Sequence, residues 1–168
     1  MKRFIKPLLW VGLAVVLIMA AMAALIALME HKSGARPDVK LQTLTGEMVT
    51  LDQVAEGKPM IVNLWATWCP PCIREMPLFE QAQKDNPGIT FVFVNQGEHT
   101  ETVNAFMANA GLTLSNVLLD SKTQLAQVTA SMALPTTLFY NAQGEQVGLH
   151  RSVLTEEQLK DKVKSLQP

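Results

Sequence analysis

The first feature of the hydropathy pattern is an apolar run without a single charged residue. It covers residues 7–29 and reads PLLWVGLAVVLIMAAMAALIALM. At about 1.5 Å per residue, an α-helix of this length crosses a hydrocarbon core of about 30 Å. Secretory signal peptides have a shorter apolar region, of roughly 7–15 residues. The pattern therefore favours an uncleaved single-span anchor, with cleavage after Ala35 as the alternative.

The charges that flank this run predict its orientation. Three basic residues precede it and two follow it, namely Lys2, Arg3 and Lys6 against Lys32 and Arg36. Cytoplasmic flanks carry the excess of basic residues, so we expect residues 1–29 to be a cytoplasmic tip and a transmembrane anchor. Residues 30–37 are polar and predict a linker. Residues 38–168 then form the folded domain, on the far side of the membrane.

The two strongest patterns after the linker are near-continuous apolar runs, which are typical of strands buried on both faces. They are Met60–Trp65 and Ile89–Val94. Between them, the sequence predicts a helix from about Pro71 to Asn86, with a kink at Pro77. Strand, helix and strand in this order predict a βαβ unit.

Weaker patterns predict the remaining elements. The predicted strands are one at 39–44 that turns at Thr45 into 48–51, a strand or loop at 116–119, and a hairpin of 138–140 and 145–149. The predicted helices are a short one capped by Asp52, one capped by Thr100, one at 122–130, and a last one that begins with a capping box of Thr155 and Gln158. Together they predict an α/β fold, in which helices flank both faces of a mixed central sheet.

Composition narrows the function classes. The chain has 168 residues, enough for one domain and a short appendage. Its formal net charge is −1, from 14 basic and 15 acidic residues, so the basic footprint of a nucleic-acid-binding protein is absent. The mean hydropathy of +0.15 is largely due to the apolar run. The two cysteines, Cys69 and Cys72, are too few for a disulfide framework or a four-cysteine zinc site.

Cys69-Pro70-Pro71-Cys72 is placed at the predicted junction of strand and helix, where it can act as a redox-active pair. A helix N-terminus stabilises a thiolate, which is the species that attacks disulfides. Cys69 is therefore the candidate nucleophile, and Cys72 is the thiol that resolves the mixed disulfide. Pro70 and Pro71 offer the thiolate neither an N–H donor nor a charge, which favours the disulfide form and predicts a reductant. Trp68 would shield one side of the site.

An acidic residue and the alternative of a metal site complete the candidate chemistry. Glu75 follows Cys72 by three residues, close to one helical turn. Its carboxylate can raise the pKa of the thiols and relay a proton, but a solvated surface glutamate fits the spacing equally well. A lone CxxC can also be half of a metal site, and a copper-delivery module is the competing interpretation. Because His31, His99 and His150 are widely spaced, no metal site is predicted.

The stretch around the cysteines resembles a known family. Residues 65–77 read WATWCPPCIREMP, which resembles the WAxWCxxCxxExP signature of the thioredoxin-like TlpA/ResA/DsbE group. Asn95-Gln96-Gly97-Glu98 is similar to the TlpA branch of that group. Members of the group are membrane-anchored, periplasm-facing thiol–disulfide oxidoreductases. The resemblance therefore implies a thioredoxin-like fold and disulfide chemistry, with no cofactor besides a redox-active Cys69–Cys72 disulfide.

The resemblance also implies roles for single residues. Cys69 is the nucleophile, Cys72 the resolving thiol and Glu75 the buried active-site acid. Pro135 matches the cis-proline that faces the CxxC. The residues implied to contact a substrate are Trp68, Pro70, Pro71, Leu134, Pro135 and Thr136.

The implied partners follow from the same group. They are a disulfide-containing periplasmic protein and a membrane thiol donor of the DsbD type, with residues 7–29 held in a bacterial inner membrane. Apocytochrome c, a copper-site protein and misoxidised proteins in general are the candidate substrates. The chain lacks the GVxYKD-like insert that marks the cytochrome c maturation branch. A thiol oxidant or isomerase in the same compartment is the alternative enzyme.

Overall fold

The computed structural model describes residues 12–25 and 34–167. The chain forms two compact units, Met1–Ala35 and Arg36–Pro168. In the first unit, residues 12–25 form helix α1, and its side chains are exposed. Within the described ranges, no helix is long and apolar enough to span a membrane. Both ends of the predicted anchor lie outside the described residues.

The second unit is built around a single sheet. Its strands are β1 (Leu41–Thr43), β2 (Met48–Val49), β3 (Met60–Trp65), β4 (Thr90–Gln96), β5 (Val117–Asp120), β6 (Thr136–Tyr140) and β7 (Gln146–His150). Its helices are α2 (Leu51–Ala55), α3 (Pro70–Asp85), α4 (Thr100–Ala110), α5 (Gln124–Val128) and α6 (Glu156–Leu166). The strands are arranged in the order β2-β1-β5-β4-β3-β6-β7.

The centre of this sheet explains why the strongest apolar runs are strands. β3 is parallel to β4 and antiparallel to β6, and all of its residues are buried. On one face, Ile61 and Trp65 pack in a core cluster with Met76 of α3. On the other face, Val62 packs with Leu51 of α2. The prediction of a mixed central sheet with helices on both faces is confirmed.

Three chain segments meet at one edge of the sheet. Trp65, at the end of β3, is paired with Asn95 of β4. Leu64 is paired with Thr136, at the start of the antiparallel β6. The residues that follow β3, follow β4 and precede β6 therefore lie at the same edge. In that order, these segments carry Cys69, Glu98 and Pro135.

Two helix starts differ from the sequence prediction. The N-cap of α2 is Thr50 rather than Asp52, and Thr50 forms a capping box with Gln53. Asp52 lies in the first turn of that helix. The N-cap of α4 is His99, which makes no side-chain cap bond, and Thr100 is the first helical residue. Apolar spacing does not decide which of several adjacent polar residues takes the extended cap conformation.

The other boundaries are closer to the prediction. The open choice at 116–119 is resolved as strand β5, and the helix expected at 122–130 is the shorter α5. Helix α3 begins at Pro70, one residue earlier than predicted, and continues through Pro77. The capping box of Thr155 and Gln158 at the start of α6 is confirmed.

Candidate active site

The cysteine pair is placed at the N-terminus of α3. Cys69 and Cys72 form a disulfide, and their Cα atoms are 5.3 Å apart. Cys69 is the N-cap residue, and its Sγ accepts the backbone N–H of Cys72 at 3.3 Å. Pro70 and Pro71 occupy the first turn, where a missing N–H breaks no helical hydrogen bond. The first N–H of the helix is therefore that of Cys72, and it is directed at the Cys69 sulfur.

The two cysteines differ in their access to solvent. Cys69 is 4% exposed, whereas Cys72 is 0% exposed. Trp68, immediately before Cys69, is 66% exposed, and Pro70 is also exposed. A partner disulfide would therefore meet Cys69 first, next to an exposed tryptophan.

The segment before β6 contributes a cis-proline at the same sheet edge. The Leu134–Pro135 peptide bond is cis, as the resemblance implied. Leu134 is half-buried, while Pro135 and Thr136 are buried. Thr136 Oγ1 donates to the carbonyl of Ala133 at 2.6 Å. This hydrogen bond closes the turn that leads into the strand.

Glu75 is buried, so the alternative of a solvated surface glutamate is wrong. It is 2% exposed. Asn63 Nδ2 donates to its Oε1 at 2.9 Å, and the backbone N–H of Leu154 donates to its Oε2 at 3.0 Å. Burial raises the pKa of Glu75, and the two hydrogen bonds oppose this rise. A buried acid one turn from Cys72 is suited to exchange a proton with that thiol.

Asn63 also belongs to this site, although the sequence alone did not predict it. It lies in the middle of β3 and is 1% exposed. Besides Glu75, its Nδ2 donates to Thr137 Oγ1 of β6 at 3.1 Å. The amide therefore connects β3 with both α3 and β6. The signal available in the sequence was a single polar residue inside the apolar run Met60–Trp65.

Glu98 connects the ends of β3 and β4. Its Oε2 accepts the backbone N–H of Thr67 at 2.7 Å and Asn95 Nδ2 at 2.6 Å, and its Oε1 accepts the Thr67 hydroxyl. Thr67 is two residues before Cys69, so this carboxylate fixes the loop that carries Cys69. We call Thr67, Asn95 and Glu98 the loop clamp. Glu98 belongs to the motif Asn95-Gln96-Gly97-Glu98, but the sequence alone predicted no role for it.

In the described ranges, His99 and His150 do not form a metal cluster with the cysteines. In the part of the chain that the structure describes, no group of three or more His, Cys, Asp or Glu side chains is arranged to hold a metal ion. His99 is the N-cap of α4 and His150 ends β7, while His31 lies outside the described residues.

Comparison with known proteins identifies the family of this chain. Residues 34–146 match the model of the AhpC/TSA family. The chain belongs to the AhpC/TSA family. The thiol-disulfide oxidoreductase ResA of Halalkalibacterium halodurans is 32% identical to it over 130 residues, which are 76% of this chain and 73% of that protein. The thioredoxin-like protein YneN of Bacillus subtilis is 36% identical over 131 residues, covering 76% and 75% of the two chains.

A solved structure supports the relationship of this AhpC/TSA-family protein to thiol–disulfide oxidoreductases. The thiol:disulfide interchange protein of the thioredoxin family from Chlorobium tepidum TLS superposes with a TM-score of 0.67 at 26% identity, covering 79% of this chain and 95% of that one. The thioredoxin-like fold and the relationship to the ResA proteins are confirmed. The structure of a putative thiol:disulfide interchange protein DsbE from Chlorobium tepidum has a TM-score of 0.71 at 25% identity, covering 79% of this chain and 95% of that one, and it supports the relationship to DsbE. The protein is a thiol–disulfide oxidoreductase.

In this AhpC/TSA-family protein, we expect Glu98→Ala to lower the free energy of unfolding by about 2–3 kcal/mol, because it removes the charged acceptor of the loop clamp. The comparison is Glu101→Ala. Glu101 is exposed in the first turn of α4, and its loss should cost less than about 1 kcal/mol. Urea denaturation measures both values. Equal losses in the two variants would contradict the clamp.

Proposed function

We propose that this protein is a disulfide reductant that acts in the bacterial periplasm and is tethered to the inner membrane by residues 7–29. The observation that supports reduction is the first turn of α3. Cys69 Sγ accepts the N–H of Cys72, while Pro70 and Pro71 have no N–H to offer. A thiolate with few donors is less stabilised, so the reduced pair gives up its electrons more readily.

In the proposed reaction, the Cys69 thiolate attacks one sulfur of a partner disulfide. An S–S bond forms between Cys69 and the partner, and the partner's own S–S bond breaks. The second partner sulfur leaves as a thiolate and takes up a proton. Cys72 then loses its proton to Glu75 and attacks Cys69 Sγ, and the bond from Cys69 to the partner breaks. The partner sulfur leaves as a thiolate and takes up a proton from solvent, so that the partner is released as a dithiol, and Glu75 returns its proton to solvent. Two electrons have moved from the cysteine pair to the partner, and a membrane thiol donor of the DsbD type would return them.

We propose a disulfide-containing periplasmic protein as the substrate. The residues that would contact it are Trp68, Pro70, Pro71, Leu134, Pro135 and Thr136. Cys72→Ser leaves Cys69 able to attack but blocks resolution, so partners should accumulate as mixed disulfides in cells. Mass spectrometry of these species would distinguish apocytochrome c, a copper-site protein and a broad set of misoxidised proteins. The same species should be absent from a variant that also carries Cys69→Ser.

The reduction potential tests the proposed direction. We expect a value nearer to the potential of thioredoxin, about −270 mV, than to that of a strong periplasmic oxidant, about −120 mV. Equilibration of the pure protein with glutathione buffers measures it. A value near that of the oxidant would overturn the proposal and favour a thiol oxidant or isomerase.

Pro71→His should make the protein more oxidising. Pro71 is half-buried in the first turn, and an imidazole there can donate to the Cys69 thiolate and stabilise the reduced form. We expect the potential to rise by roughly 30–60 mV, since a hydrogen bond to a charged group is worth about 1.5–3 kcal/mol. Pro77→His is the matched control, because Pro77 is exposed further along the same helix. A rise of the same size in both variants would contradict the donor argument.

The proposed location has its own experiment. In intact spheroplasts that express the full chain, a membrane-impermeant maleimide should label reduced Cys69. The labelling should match that of lysed cells if the domain faces the periplasm. Labelling that occurs only after lysis would overturn the periplasmic location and leave the proposed chemistry untouched.

A further inference from the structure

Asn63 is an amide in the middle of β3, a strand in which every residue is buried. It is 1% exposed, and its neighbours Val62 and Leu64 are 0% exposed. Burying an amide is costly unless its polar atoms find partners. If this position contributed only to the packing of the core, an apolar residue would stabilise the fold more than an amide does. The contacts of the amide therefore indicate what it contributes.

The two hydrogens of the Asn63 amide have different acceptors. One acceptor is Glu75 Oε1 at 2.9 Å, and the other is Thr137 Oγ1 at 3.1 Å. Among the described residues, its Oδ1 has no hydrogen-bond partner. The amide thus acts as a donor, which is what an ionised carboxylate requires, because a carboxylate accepts hydrogen bonds and cannot donate them.

Glu75 is held from a second direction by the chain that leads into α6. The backbone N–H of Leu154 donates to Oε2 at 3.0 Å. Each carboxylate oxygen therefore has a donor from outside its own helix. On that helix, Glu75 lies three residues after Cys72, and residues three apart are neighbours on a helix surface. The two donors thus fix the carboxylate on the side of α3 that Cys72 shares.

We infer that Asn63 is a positioning residue, whose amide fixes the Glu75 carboxylate as the proton acceptor for Cys72. The inference rests on the proposed function, because it concerns the step in which Cys72 resolves the mixed disulfide. In that step the thiol proton moves to Glu75, Cys72 Sγ bonds to Cys69 Sγ, and the bond from Cys69 to the partner breaks. The partner sulfur leaves as a thiolate, and Asn63 neither gains nor loses a proton.

Other charged or titratable residues on the surrounding elements could contribute to a pH dependence, and their effect has to be distinguished from that of Glu75. They are Cys72 and Arg74 on α3, His150 at the end of β7, Arg151 after it and Lys162 on α6. His150 Nε2 lies 2.8 Å from Ser152 Oγ, and Lys162 Nζ lies 5.7 Å from the centre of the Phe139 ring. Because histidine titrates nearest to neutral pH, His150 needs a control of its own.

The test uses dithiobis(nitrobenzoate), which separates the two chemical steps. The reduced protein releases one coloured thiolate when Cys69 attacks and a second when Cys72 resolves the mixed disulfide. In the wild type, the rate of the second release should rise with pH to a plateau as Glu75 ionises. In Asn63→Leu, we expect the midpoint of this rise to move up by about one pH unit, because the carboxylate has lost a donor. The rate of the first release should stay unchanged.

Further variants test whether the shift is only a general effect of substitution in a buried strand. Asn63→Asp keeps the size of the side chain and places a second carboxyl group beside Glu75, so it should also raise the midpoint. Thr137→Val is the matched control, since it removes the other partner of the amide and leaves the bond to Glu75. His150→Gln should likewise leave the midpoint in place.

The outcomes distinguish this inference from the proposed function. Wild-type midpoints in both Asn63 variants would overturn the inference and leave the proposed reaction intact. A shift in Thr137→Val as large as that in Asn63→Leu would also overturn it. If Glu75→Gln retained the wild-type rise, Glu75 would not be the proton acceptor, and that step of the proposed function would fail instead.

Discussion

Replacing Cys69 with alanine is expected to lower the rate of insulin reduction by dithiothreitol to that of dithiothreitol alone. Cys69 is the more exposed residue of the pair, at the helix N-terminus and with the N–H of Cys72 directed at its sulfur. A helix N-terminus and a backbone donor both stabilise a thiolate. Cys72 is 0% exposed and cannot replace Cys69 as the attacking group. The precipitation of reduced insulin chains, followed by turbidity, measures the rate.

Cys72→Ser is the matched comparison, because it alters the second sulfur and keeps the first. It should lose turnover as well, but it should form a stable mixed disulfide with insulin that a non-reducing gel detects. Cys69→Ala should form none. The reverse pattern, with mixed disulfides in Cys69→Ala alone, would assign the attack to Cys72 and contradict the roles proposed here.

The sequence could predict those parts of the site that depend on patterns within a short stretch of the chain. Two short, nearly continuous apolar runs predicted the strands β3 and β4, because such runs are typical of strands that are covered on both faces. The prolines between the cysteines predicted a helix start, because proline is favoured in the first turn, where its missing N–H breaks no helical hydrogen bond. The position of Cys69 at the N-terminus of α3 follows from these two signals together.

The polar contacts of the site could not be predicted, because each joins residues that are distant in the chain. Asn63 and Glu75 are separated by 12 residues, and Asn63 and Thr137 by 74. Thr67 and Glu98 are separated by 31. Burial of Glu75 depends on the chain before α6, which supplies the N–H of Leu154. Helical spacing alone left Glu75 undecided between buried acid and surface residue.

The prediction of two helix N-caps was wrong for a different reason. Thr50 and Asp52 are both good N-cap residues and lie two positions apart, so propensity does not separate them. Thr50 takes the cap because Gln53 completes a capping box with it, whereas the Asp52 carboxylate lies 2.7 Å from Arg36 Nε. The ion pair is a tertiary contact that no local pattern contains.

Glu75→Gln is expected to raise the melting temperature at neutral pH. Burial raises the pKa of Glu75 above 4.5, so the folded state binds this proton more tightly than the unfolded state does. The stability that the protonated acid contributes is complete below the unfolded-state pKa and is lost as the pH rises through the folded-state pKa. Glutamine cannot ionise and avoids that loss. The gain measured by thermal unfolding should therefore shrink as the pH falls below the unfolded-state value of 4.5.

Glu80→Gln supplies the control with the opposite sign. Glu80 lies on the same helix, and hydrogen bonds from Lys84 and the backbone N–H of Thr113 lower its pKa. Its ionised form therefore stabilises the folded state, and its replacement should not raise the melting temperature at neutral pH. A pH-independent gain in Glu75→Gln, or an equal gain in both variants, would contradict a cost of ionising Glu75.

The same Glu75→Gln substitution should slow the chemistry that the buried acid serves. With dithiobis(nitrobenzoate), the first release by Cys69 should keep its rate, because that attack needs no proton acceptor at Glu75. The second release should fall by roughly two orders of magnitude, the size of effect expected for loss of a general base. A protein that becomes more stable and slower by one substitution would explain why a costly buried carboxyl group occupies this position. A faster or unchanged second release would leave the burial of Glu75 without a catalytic reason.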